Sequence, residues 1–115
     1  MEAAVDRIVK IEVYTEDNDP NELIGRPGQY TSAAVLADKD GDGDSGIDRG
    51  AVIEVFANAE DAKARSKYIL DILKEASWLG TEWHHLSDTA LLRVSGTLKP
   101  SVNKVYEQAW TDIAG

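Results

Sequence analysis

Between Ile8 and Tyr14 the chain alternates, with Val9, Ile11 and Val13 on one face and Lys10 and Glu12 on the other. That period of two is the signature of a half-buried strand. A short apolar run, Ala33 to Ala37, and the β-rich run Ala51 to Ala57 (AVIEVFA) predict a second and a third strand. Asn58 then offers a cap with Asp61 three residues on. Ala62, Ile69, Ile72, Leu73, Ala76 and Leu79 follow at helical spacing as far as Gly80. Glu82 to Leu86 and Thr89 to Ser95 flank Ser87-Asp88, a polar break suited to a hairpin. Beyond Pro100, Val102, Val105, Tyr106, Ala109 and Ile113 form one apolar helical stripe. The predicted class is α+β: a single antiparallel sheet of about five strands, in the order β-β-β-α-β-β-α, with two helices packed on one face. In that arrangement Lys10, Glu12 and Arg93 face water.

Composition narrows what such a domain does. At 115 residues the chain has the size of one domain spanning 1–115, with 1–7 expected as a flexible amino-terminal tail. A 43% hydrophobic share is enough to build a core. The formal charge of −9 argues against nucleic acid, because binding phosphates requires clustered Lys and Arg, and it disfavours acidic membrane surfaces likewise. With no cysteine there is no disulfide, thiolate chemistry or Cys-type zinc site. No apolar run approaches the ~20 residues that span a bilayer. The start, Met1 to Arg7, lacks the basic and then apolar layout of a signal peptide.

The loop after the first strand reads as built structure. Asp19 can cap a helical turn that Pro20 opens and Glu22 completes; Gly25 ends it in the left-handed region, and Arg26-Pro27-Gly28-Gln29 fits a type II turn. Organised loops on a rigid scaffold often carry binding, so Asn18, Asn21, Arg26 and Tyr30 are candidate partner-binding residues. The alternative is that they only satisfy local backbone groups and nearby acids. The whole block YTEDNDPNELIGRPGQYTS, residues 14–32, resembles a family of small, largely uncharacterised actinobacterial proteins, many with secretion or lipoprotein signals. IEVFANAEDAKAR (53–65) and ALLRVSG (90–96) are similar to later blocks of that family, so the resemblance covers most of the chain from Tyr14 onward. It implies a place outside the membrane, secreted or held by an amino-terminal lipid. It lends no activity and no catalytic residues.

Candidate chemistry is sparse. His84 and His85 are adjacent on a strand and point to opposite faces, so they cannot share an ion; one packed or capped and one exposed histidine is the expectation. No Gly-x-Ser-x-Gly elbow occurs, and Gly25 and Gly28 lack the spacing and Lys of a phosphate loop. Trp78 and Trp83 either form an aromatic platform or pack at the rim, as does Trp110. The second loop carries the one recognisable ligand frame. Asp38, Asp40, Asp42 and Asp44 occupy positions 1, 3, 5 and 7 of a calcium loop with Gly43 at position 6, whereas position 12 is Arg49 and the nearest acid is Asp48. Half a frame predicts weak calcium binding at best, against the alternative of a solvated acidic hairpin.

These readings lead to a non-enzymatic, extracytoplasmic interaction domain. It would need no cofactor, apart from weak calcium, and would bind a protein or envelope component through its loops. The alternative is a cytoplasmic acidic inhibitor, phage-encoded in one version, whose carboxylates imitate nucleic acid and block a basic protein.

Overall fold

A computed structural model of the chain describes residues 7–15, 17, 24–25, 29–41, 46–76 and 80–114. Five strands form one open antiparallel sheet: β1 (Ile8–Tyr14), β2 (Ser32–Asp38), β3 (Gly50–Val55), β4 (Glu82–Ser87) and β5 (Ala90–Ser95). Helix α1 (Ala59–Glu75) joins β3 to β4, and helix α2 (Pro100–Ala114) follows β5. The spatial order is β1-β2-β3-β5-β4, with β1 and β4 at the edges. The element order β-β-β-α-β-β-α is the one the hydrophobic pattern predicts. α1 begins where the cap was expected: the Asp61 amide donates to Asn58 Oδ1 at 2.8 Å, and Asn58 Nδ2 donates back to Asp61 Oδ2 at 3.2 Å. The hairpin turn falls one residue later than predicted. Ser87 pairs with Ala90, and Asp88 takes a left-handed φ of 50°, which Asp tolerates better than most residues.

The layering differs from the expectation, because the two helices lie on opposite faces of the sheet. Side chains alternate along β5, and the alternation separates two cores. Leu92 and Val94 pack with Val102, Tyr106 and Ala109 of α2, together with Leu36 and Ala51. Leu91 packs with Ala62 of α1 and with Val35, Val52 and Phe56. Adjacent strand residues cannot share a face, so α1 and α2 sandwich the sheet. The adjacent histidines repeat the division: His84 reaches Ser66 on α1, and His85 reaches Asn103 on α2.

A helix about 10 Å across covers only two or three strands spaced about 4.8 Å apart, so one helix per face leaves part of a five-stranded sheet bare. On the α1 face the gap over β1 and β2 is filled by Tyr14, Tyr30, Ile24 and Ile47, the last from the 3-10 turn Gly46–Arg49. On the α2 face only Ile8 of β1 joins the core. Ile11 and Val13, read from the sequence as facing the interior with Val9, stand in solvent.

Candidate functional site

Polar groups collect in two buried clusters, one at each end of the sheet. The larger lies between α1 and the sheet. Arg93 of β5, expected at the surface, is buried and donates from Nε and Nη2 to the two carboxylate oxygens of Glu82, each at 2.8 Å. Its Nη1 donates to Glu54 Oε2 at 2.9 Å. Glu54, only 1% exposed, also accepts from Arg65 Nε at 3.1 Å, and the Arg65 guanidinium lies 5.5 Å from the centre of the Tyr30 ring. His84 extends the chain, with Nε2 2.9 Å from Glu82 Oε1 and Nδ1 2.7 Å from Ser66 Oγ. Burial alone would raise the Glu82 carboxyl, but the hydrogen bonds from Arg93 and His84 more than reverse this and hold it at about 2. For Arg93, burial would favour losing the proton, yet the Glu82 and Glu54 contacts push its pKa above the ordinary value.

Ser66, His84 and Glu82 thus have the connectivity of nucleophile, base and orienting acid. Their setting is different. The Ser66 residue is 6% exposed within the helix-sheet interface, and Glu82 spends both oxygens on Arg93. Two carboxylates and two guanidiniums balance one another in this cluster and fasten α1 to β3, β4 and β5.

At the other end, Asp38 closes β2 and faces α2. Its Oδ1 accepts from Arg7 Nη2 at 3.0 Å and from the Asp40 amide at 2.8 Å; its Oδ2 accepts from Arg7 Nε at 3.0 Å and from the Tyr106 hydroxyl at 2.6 Å. Burial would raise the Asp38 carboxyl, and the Arg7 and Tyr106 bonds draw it below its ordinary value. Burial and the same carboxylate raise the Tyr106 phenol. Arg7 also pairs with Asp40. Far from being a loose tail residue, Arg7 clamps the start of β1 to the end of β2.

This geometry redistributes the candidate residues. Asp38, first position of the calcium frame, is saturated by protein donors, and Asp40 is paired with the same arginine. Asp42 and Asp44 lie outside the described residues, as does the side chain of Asp48, whose backbone belongs to the 3-10 turn. No group of three or more His, Asp or Glu able to hold a metal ion occurs among the described residues. Asn18, Asn21 and Arg26 also lie outside them. Tyr30 is a correction: it is 1% exposed and meets Phe56 edge-on at 6.1 Å, because it packs with Tyr14, Val35 and Val52 into the core on the α1 face. Gly25 does take the predicted left-handed φ, 81°, and its amide bonds the Tyr30 carbonyl at 3.2 Å. His84 and His85 do point to opposite faces, but neither is free: His85 Nε2 lies 2.8 Å from Asn103 Oδ1 and Nδ1 lies 3.5 Å from Glu107. Trp83 and Trp110 pack against the α2-side core, and Trp78 lies outside the described residues.

Among the described residues, the most exposed aliphatic side chains lie on β1. Val9, Ile11 and Val13 are 68%, 59% and 63% exposed and adjoin one another along the outer strand. Lys10 projects from the other face, and Glu12 beside it approaches Arg49 at 3.5 Å. An apolar stripe on an edge strand is the feature proteins ordinarily avoid unless something covers it. Periodicity marks the stripe in the sequence; what periodicity cannot supply is which strands the helices cover. Among the described residues no helix is long and apolar enough to cross a membrane. No family model, curated protein or solved structure matches the chain.

Proposed function

We propose that this chain is a non-enzymatic interaction domain that binds a protein through the outer strand β1. The exposed stripe of Val9, Ile11 and Val13 carries this reading. Recognition by strand addition suits such an edge, with main-chain hydrogen bonds supplying affinity and the alternating side chains supplying selectivity. The buried polar clusters support the same reading, since Arg93, Glu54, Glu82, His84 and Asp38 are engaged in holding the layers together. In this reading the contact surface is the sheet edge in place of the loop that carries Asn18, Asn21 and Arg26. An extracytoplasmic location, secreted or lipid-anchored, belongs to the proposal through the resemblance of residues 14–32. Any calcium would rely on Asp42, Asp44 and Asp48, since Arg7 already serves Asp38 and Asp40 as a fixed cation.

The test is site-specific photocrosslinking. A benzophenone amino acid replaces Ile11 in one variant and the exposed Lys104 in another, and each is irradiated as purified protein and in an extract of the source cells. Protein adducts from position 11 and none from position 104 are expected. Equal labelling from both positions, or none from position 11 in either setting, would sink the proposal.

A further inference from the structure

The sequence of β1 is complementary to itself. Lys10 and Glu12 lie on one face, two residues apart, with Ile11 between them on the other. If a second β1 is laid antiparallel beside the first, centred on Ile11, every residue i meets residue 22 − i of the copy. Lys10 then faces Glu12 of the copy and Glu12 faces Lys10, while Val9 faces Val13. Opposite charges thus align twice and the aliphatic stripes of both strands merge, the pairing that favours antiparallel neighbours. Moving the centre by one residue puts Lys10 opposite Lys10, or Glu12 opposite Glu12, and loses the match.

We infer that the partner of β1 is a second copy of this chain. The inference rests on the proposal that β1 is a contact surface, and it adds the occupant. Two sheets joined by a two-fold axis at Ile11 would form one sheet of ten strands. The interface is isologous, so the same patch serves both partners and the assembly closes. Lys10 makes no ion pair among the described residues, and Glu12 has only the long contact to Arg49, so both side chains are available for cross-strand pairing. A register shift in the ladder between Ile8 and Lys10 falls on Val9, so the regular part of the pairing is the run Lys10 to Glu12 centred on Ile11. The outer strands of the joined sheet would be the two β4 strands. Their His84 and His85 side chains hold a helix on each face, so neither resembles the bare face of β1.

The test exploits the symmetry of the charges. In Lys10→Glu every cross-strand ion pair of the homodimer becomes Glu against Glu, and in Glu12→Lys it becomes Lys against Lys. Each variant should dimerise more weakly than the parent by roughly tenfold or more. Mixed in equal amounts the two variants complement each other, and sedimentation velocity should show the dimer restored. The double variant Lys10→Glu/Glu12→Lys should dimerise like the parent. Lys10 is exposed, whereas Glu12 is half-buried beside Arg49, so circular dichroism checks that each protein is folded before its mass is read. Lys10→Glu, which leaves the Arg49 contact intact, carries the test if Glu12→Lys does not fold. A parent chain that stays monomeric at the highest concentration reached would overturn the inference. So would single variants that dimerise as well as the parent, or a mixture that gains nothing. If position 11 crosslinks to a different protein while the chain is monomeric, β1 remains a contact surface and the second copy is excluded. If position 11 crosslinks to nothing, both readings fail together.

Discussion

The two edges of this sheet are built in opposite ways. At β4, consecutive side chains go to different layers: His84 joins the arginine-carboxylate cluster beneath α1, and His85 bonds Asn103 of α2. At β1, Ile8 and Arg7 secure the start and the buried Tyr14 the finish, and Glu12 meets Arg49 between them at 3.5 Å. The side chains of Val9, Ile11 and Val13 stand in solvent, although this is the more aliphatic strand. The covered edge thus carries two histidines and a glutamate while the open edge exposes Val9, Ile11 and Val13, the reverse of what burial alone would produce. The difference teaches that each strand's role depends on what lies above it, and that two helices supply cover for one end of the sheet only.

Breaking the covered edge should cost the most. Arg93→Met leaves Glu54 and Glu82 buried without their shared guanidinium, and a loss of about 3–5 kcal/mol in denaturant unfolding is expected. A loss below about 1 kcal/mol would show that water or Arg65 can replace it. Acid attacks the same cluster more gradually. Glu82 has its pKa lowered from 4.5 to about 2 in the folded protein, so its stabilising effect is complete above pH 4.5 and declines as the pH falls toward about 2. The unfolded chain takes up the proton first, and the drop corresponds to at most about 3 kcal/mol. Glu82→Gln should flatten that part of the profile, so an acid transition of unchanged steepness in the variant would assign it to other carboxylates. At the far end of β2, Tyr106→Phe removes the hydroxyl that donates to Asp38; about 1.5–3 kcal/mol should be lost, measured by thermal or chemical unfolding. The open edge should be nearly indifferent. In dilute protein Ile11→Thr should change stability by no more than about 0.5 kcal/mol, and a larger loss would mean that the stripe is covered within the monomer.

Much of this architecture is legible in local pattern. The bounds of β1, the Asn58 cap and the left-handed Gly25 each follow from a few neighbouring residues, and the divergence of His84 from His85 follows from the pleat alone. The layering is a longer-range property, yet a sign of it is present. ALLRVS and AVIEVF have apolar residues on both faces, as strands covered on both sides do, whereas one-sided packing calls for alternation. Each of these runs also contains a single charge, Arg93 and Glu54, of opposite sign. A lone charge inside a strand buried on both faces needs a partner, and the two strands supply it to each other. The expectation that Arg93 faces water follows from treating β5 as half-buried. Tyr30 differs for a related reason: loop residues are expected at the surface, whereas Tyr30 and Ile24 pack into the α1-side core over strands that α1 does not reach.

The acidic loop offers an engineering consequence through the glycines at its two ends, Gly41 and Gly50. A Cβ on Gly41 would lie 2.1 Å from the Arg49 carbonyl oxygen, and one on Gly50, whose φ is 142°, would lie 2.7 Å from the Cβ of Asp38. Only glycine lets the outgoing and returning chain come this close, and the Arg7 clamp on Asp38 secures the same point. The junction therefore behaves as a fixed socket whose ends stay in place irrespective of what is strung between them. Since doubling a loop's length costs only about 0.6 kcal/mol in closure entropy, peptide tags, protease sites or whole reporter modules grafted between Gly41 and Gly46 should leave the sheet standing. The same grafts placed in β1 would obstruct its edge.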